Sequence, residues 1–148
     1  MKRALAIILT LNMYCIFMDA QQTITLSQLN GTTWSQISPD NKATPTTVVF
    51  SCKTITRTTS YPTLNESITR TFPYYLDTKE PTSFISENVG KVVKGGYIVK
   101  SLTKSKSFQS FKVISLKNDT LTLYYEPDEN AIGGNSKRGF NIVYKRVK

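Results

Sequence analysis

Apolar and polar positions alternate most sharply between Phe108 and Glu126. Ile114 and Leu116 are interleaved with Ser115 and Lys117. Beyond Asn118-Asp119, Leu121, Leu123 and Tyr125 repeat the same two-residue period. Such a period places alternate side chains on one face of a β-strand. A tight loop at Asn118-Asp119 sets Leu116 opposite Leu121 and Ile114 opposite Leu123, so the hairpin has one wholly apolar face. Asn and Asp accept the positive φ that this loop requires. A lone hairpin is marginal in water, so the apolar face predicts further sheet to cover it.

The rest of the chain has the same character. No segment beyond residue 20 shows a helical period. Short runs rich in Thr, Val, Ile, Tyr and Phe alternate with clusters of Gly, Pro, Asn and Asp. Strands are predicted near residues 23–29, 33–37, 46–54, 56–61, 67–76, 96–103, 108–116, 120–126 and 140–147. The first of these can instead form a turn and short helix leading into Trp34. Residues 38–41 read as a turn, and Pro62 ends a strand. Pro73 makes its strand an edge, a bulge or two pieces. Residues 78–96 read as a long loop with one helical turn, and 126–139 as a second long loop. Cys52 has the parity of Val48 and Phe50 and is expected as a small buried hydrophobe. Phe140, Ile142 and Tyr144 share a face that Arg146 continues. Short strands with tight connections predict one all-β unit, a meander closed on itself or a sandwich. Closure is favoured because it removes exposed strand edges.

The chain has 148 residues, with 19 Lys and Arg against 10 Asp and Glu, a net charge of +9, and no histidine. Lys2 and Arg3, the apolar run from Ala4 to Met18 and then Asp19-Ala20 have the layout of a secretory signal peptide over residues 1–20. The run is too short and too interrupted for a stable membrane span. Its removal gives +9 − 2 + 1 = +8 and leaves residues 21–148 as a single domain whose only cysteine is Cys52. That domain has no internal disulfide and is held by its core. The expected location is secreted or periplasmic.

The absence of histidine excludes Ser-His and Cys-His nucleophilic sites and His-ligated metals. No G-x-S-x-G and no phosphate-binding glycine loop occurs. The carboxylates fall mostly in turns and loops, with nothing to set two of them across a cleft. Residues 126–130 lack the ligand spacing of a calcium loop. No catalytic, metal or cofactor residue is assigned, and the protein is expected not to be an enzyme. Export and the lack of a recognition module argue against nucleic acid. The many lysines, among them Lys100, Lys104, Lys106, Lys112 and Lys117, read as the outward half of the strand alternation.

Leu29-Asn30-Gly31-Thr32-Thr33-Trp34 resembles the L-x-G-T-W opening of bacterial, Bacteroidetes-type lipocalin-like domains, which are small secreted calycin-type β-barrels. Ile114-Ser115-Leu116 with Leu121-Thr122-Leu123 is similar to their late hairpin, and Tyr144-Lys145-Arg146-Val147 to their closing strand. The chain departs from the pattern in its Gly-x-x-Trp spacing, one residue longer than the lipocalin Gly-x-Trp. The resemblance implies a single antiparallel up-and-down barrel of about eight to nine strands with an internal cavity. It also implies that a basic residue of the last strand, Arg146, stacks on the opening Trp34, a contact worth about 0.5–2 kcal/mol. The function it implies is non-enzymatic binding of a small apolar or amphipathic ligand inside the barrel, without a cofactor. Trp34, Tyr97, Phe111 and Tyr125 are the candidate ligand-binding residues. The alternative is a solid barrel that contacts a protein partner or an anionic envelope polymer. It would do so through its long loops or a basic face that includes Lys100, Lys104 and Lys106.

Overall fold

The computed structural model describes residues 21–38, 44–102, 107–125 and 139–147. The signal peptide expected at residues 1–20, the turn at 39–41, Lys104, Lys106 and the acidic run at 126–130 lie outside the described residues. In chain order the elements are β1 (Ile24–Thr25), α1 (Leu26–Leu29), β2 (Thr32–Ile37), β3 (Thr46–Phe50), β4 (Thr54–Tyr61) and β5 (Glu66–Asp77). There follow β6 (Lys94–Gly95), β7 (Tyr97–Ser101), β8 (Phe108–Lys117), β9 (Thr120–Tyr125) and β10 (Phe140–Arg146). Eight of these, all but β1 and β6, form a closed barrel in which each strand runs antiparallel to its neighbours and β10 returns to pair with β2. The expected up-and-down barrel is therefore present, with eight strands, and is compatible with a calycin-like fold. β1 and β6 pair separately.

Of residues 23–29, Ile24–Thr25 form the two-residue strand β1 and Leu26–Leu29 turn into the short helix that leads towards Trp34. The Thr25 N–H donates to Gln28 Oε1 at 2.7 Å, which caps the turn. Gly31 then reverses the chain at φ +73°, a conformation that favours glycine, and its N–H donates to the Phe50 carbonyl. Ile24 and Leu29 are fully buried and plug this end of the barrel, its floor. The turns between β3 and β4 and between β8 and β9 lie at the same end.

The hairpin forms at the expected loop, with φ of 46° at Asn118 and 63° at Asp119, and Leu116 pairs with Leu121. The pairing of Ile114 with Leu123 does not form. The register shifts between Val113 and Ser115, so Leu123 faces Val113 and Ile114 is the extra residue of a bulge. The N-terminal segment laces this irregularity. The Gln22 N–H donates to the Val113 carbonyl at 3.1 Å, and Gln22 Oε1 accepts from the Leu116 N–H at 2.6 Å. The parity flip puts Phe111 and Val113 inside, Val113 without any exposed surface.

Cys52 is exposed, not buried. β3 stops at Phe50, and Ser51 Oγ accepts from the N–H groups of Lys53 (3.1 Å) and Thr54 (2.9 Å). That turn lifts Cys52 away from the face it would have shared with Phe50. Pro73 sits inside β5 where pairing changes partner: Glu66–Pro73 pair with β4, and Tyr74–Asp77 with β7. The Tyr74 N–H donates to the Lys53 carbonyl, so the N–H that Pro73 lacks would point away from β4, one residue before the β7 ladder begins.

Two apolar clusters result. The interior cluster includes Trp34, Phe50, Tyr74, Ile98, Val113 and Leu121. The second lies on the outer face of β5 and β7, where Tyr75, Tyr97 and Val99 are covered by Phe84 and Val89 from the long β5–β6 connection. That loop contains one 3-10 turn, Ser86–Asn88. The Tyr75 hydroxyl pins it, donating to the Ser83 carbonyl at 3.1 Å and accepting from the Ile85 N–H at 3.3 Å.

Candidate ligand cavity

The floor is closed around Trp34, which is 1% exposed. Its indole N–H donates to Thr32 Oγ1 at 2.7 Å, and the Thr32 hydroxyl in turn donates to the Leu29 carbonyl. The longer Gly-x-x-Trp spacing thus supplies an inward threonine that satisfies the buried indole. On β10, Arg146 is the register partner of Trp34, and its guanidinium carbon lies 5.7 Å from the ring centroid.

Beyond this plug the interior holds a cavity of about 270 Å³. Val48, Phe50, Ile55, Ile98, Leu123 and Ile142 form its apolar wall. They come from β3, β4, β7, β9 and β10 because every second residue of each strand faces in. Three rings form one side: Phe111 to Tyr125 at 5.7 Å between centroids, and Tyr125 to Phe140 at 5.3 Å. The polar members are Gln36, Arg57, Lys100, Gln109 and Tyr144.

Lys100 is the unusual member. It is only 8% exposed, and its ammonium sits 4.6 Å from the Phe72 centroid and 5.3 Å from that of Phe111. Burial, and next the charge of Arg57, hold its pKa down from 10.5 to about 8. Burial pushes the Tyr144 hydroxyl the other way, above its usual range, against an opposing pull from Arg57. Arg57 therefore acts on both groups. A second cavity of about 160 Å³ shares Arg57 and continues over Tyr61, Ile68, Arg70 and Phe72 on the inner face of the β4–β5 hairpin. Arg57 and Arg70 stand directly opposite each other across that ladder.

Of the four residues singled out for ligand contact, Phe111 and Tyr125 line the cavity. Trp34 lies below it in the floor, and Tyr97 belongs to the outer cluster on the far side of the sheet. Lys100 was expected to point outward and instead faces in. On β7 the residues from Tyr97 to Lys100 are all buried, because the β5–β6 connection covers the outer face, so no polar alternation marks the inward side. Arg57 was missed for a related reason. Threonines at 54, 56 and 58 give β4 its outward face, and Arg57 follows Ile55 on the inward one. The two-residue spacings Ile55–Arg57 and Ile98–Lys100 are the only signals that could have found them.

Among the described residues no helix is long and apolar enough to cross a membrane, and no three His, Cys, Asp or Glu side chains group as metal ligands. No protein-family model matches the chain, and no curated protein matches its sequence.

Proposed function

We propose that this is an exported, non-enzymatic, lipocalin-like binding protein that holds a small apolar or amphipathic molecule inside its barrel. The observation that carries this reading is the interior cavity of about 270 Å³, apolar and aromatic on its walls with a few convergent polar groups. That combination suits small-molecule capture, in which burial supplies affinity and the polar groups fix orientation. The volume suits one short chain or one ring system rather than a large lipid. A rigid closed sheet also keeps the site preformed, which limits the ordering cost of binding.

The test uses the neutral fluorophore N-phenyl-1-naphthylamine. A blue-shifted, saturable signal is expected for the parent, competed by 1-decanol. Filling the cavity with Ile142→Trp should abolish the signal while leaving the thermal melt cooperative. Absence of saturable binding by the parent, or undiminished binding by a folded Ile142→Trp protein, would overturn the proposal.

A further inference from the structure

The two cavities meet at Arg57, whose side chain, like that of Arg70, is exposed, while Lys100 is buried. Lys100 and Arg57 line the larger one, and Arg57 and Arg70 line the smaller. Arg57 and Arg70 face each other across the β4–β5 ladder, an arrangement in which like charges repel. The Thr56–Thr71 and Thr58–Thr69 pairs on either side bond hydroxyl to hydroxyl at 3.0 Å on the opposite face, so both arginines are committed to the inner one. Nothing among the described lining residues answers this charge, since neither cavity has an Asp or Glu in its wall. The described carboxylate nearest along this face is Glu66, exposed and four residues up β5 from Arg70, about 13 Å away at strand spacing.

A buried ammonium without an anionic partner is costly, and an extra positive neighbour makes it more so. Phe72 and Phe111 offer Lys100 only ring faces, which support a cation weakly and leave its N–H donors free for an acceptor. The neighbouring donors Gln109 and Tyr144 complete a site able to hydrogen-bond an oxyanion. The guanidinium of Arg57 has the planar fork that matches a carboxylate or phosphate edge.

We infer that Lys100, Arg57 and Arg70 form an anion subsite for the carboxylate or phosphate-monoester head of a single-chain amphiphile whose tail lies along the Ile55–Ile98–Ile142 wall. This rests on the reading of the barrel as a ligand-binding protein and specifies the ligand's chemical class. A bound head restores the missing counter-charge. Lys100, buried in the wall of the apolar cavity, fixes which end of the molecule lies beside the cations.

The test is calorimetric titration of the protein at pH 7 with five probes: decanoate, decyl phosphate, 1-decanol, decyltrimethylammonium and inorganic phosphate. Decanoate and decyl phosphate are expected to bind at least tenfold more tightly than 1-decanol. Decyltrimethylammonium and inorganic phosphate should bind no better than the alcohol. Lys100→Met should cost the two anions tenfold or more and so abolish their preference over the alcohol. Arg70→Gln should cost them severalfold, and that loss should shrink as salt is raised. Equal affinity for decanoate and decanol, unaltered in Lys100→Met, would overturn the subsite and leave the ligand-binding barrel standing. Inorganic phosphate binding as tightly as decyl phosphate would overturn the two-part site in favour of a simple anion site. Failure of every probe to bind would overturn the barrel reading, and the subsite with it.

Discussion

Replacing Lys100 by methionine should stabilise the ligand-free protein at neutral pH. Methionine keeps an unbranched stem of similar length and removes the charge. The drop in the lysine pKa from 10.5 to about 8 means that its charged form costs the folded state about 3 kcal/mol relative to the unfolded one. The faces of Phe72 and Phe111 return roughly 1 kcal/mol of cation–π attraction, which methionine forfeits. The net gain is then about 2 kcal/mol at pH 7, or roughly 5–10 °C in Tm for a domain of this size. The sign of the pH dependence follows from linkage. Between pH 8 and 10.5 the unfolded chain holds a proton on Lys100 that the folded chain has released, so parental stability rises with pH across that window. The advantage of Lys100→Met should fade over the same range. Above pH 10 the raised pKa values of Tyr74, Tyr75 and Tyr144 act oppositely, because the stability they contribute is present below pH 10 and lost above it. Guanidinium melts at pH 7 and pH 10 measure both effects. A Lys100→Met protein no more stable than the parent at pH 7, or equally favoured at both pH values, would refute the claim that an uncompensated ammonium lies in the cavity.

Arg146→Ala should cost about 0.5–1 kcal/mol, because the guanidinium over Trp34 is exposed and the ring is not, and it should alter Trp34 emission. Unchanged melts and an unchanged spectrum would remove any stabilising role for that stack. Gln22→Ala should cost about 1–2 kcal/mol, since the Leu116 N–H beside the bulge loses its side-chain acceptor, and amide exchange at Leu116 should quicken. Protection of that amide undiminished in the variant would show that the N-terminal segment does not brace the bulge. Cys52 should react with a maleimide in the folded protein at a rate close to that of the denatured chain. Protection of more than tenfold would contradict the turn described for residues 51–53.

The barrel was legible because strand alternation is a local signal that survives folding. β9 and β10 carry it cleanly, and Arg146 falls under Trp34 as the parity of Phe140, Ile142 and Tyr144 requires. The bulge was not legible, because Val113, Ile114 and Leu116 offer apolar side chains in both parities and either register buries two of them. Bonds from outside the hairpin brace the observed register: Gln22, some 90 residues away in sequence, bonds β8 twice, and the Gly96 carbonyl accepts from the Val113 N–H. Cys52 misled for want of a marker: nothing but Ser51 ends β3, and a serine side chain that accepts two backbone N–H groups leaves no periodic trace. The site divides the same way. Phe111 and Tyr125 were found as inward aromatics. Tyr97 and Lys100 were assigned to the wrong faces because a loop covers the outside of β7 and removes the contrast between its sides. The basic pair on the β4–β5 hairpin arises from pairing, since only the ladder register brings Arg57 opposite Arg70.

The most direct measurement of ligand capture is a titration of the isoleucine-methyl-labelled protein with decyl phosphate, followed by NMR. Saturable shifts and intermolecular contacts are expected at Ile55, Ile98 and Ile142, which face the cavity, with Ile24 in the floor and Ile85 on the outer loop unmoved. Shifts confined to Ile85 and other surface methyls, or no saturable shift at any isoleucine, would contradict an interior binding site.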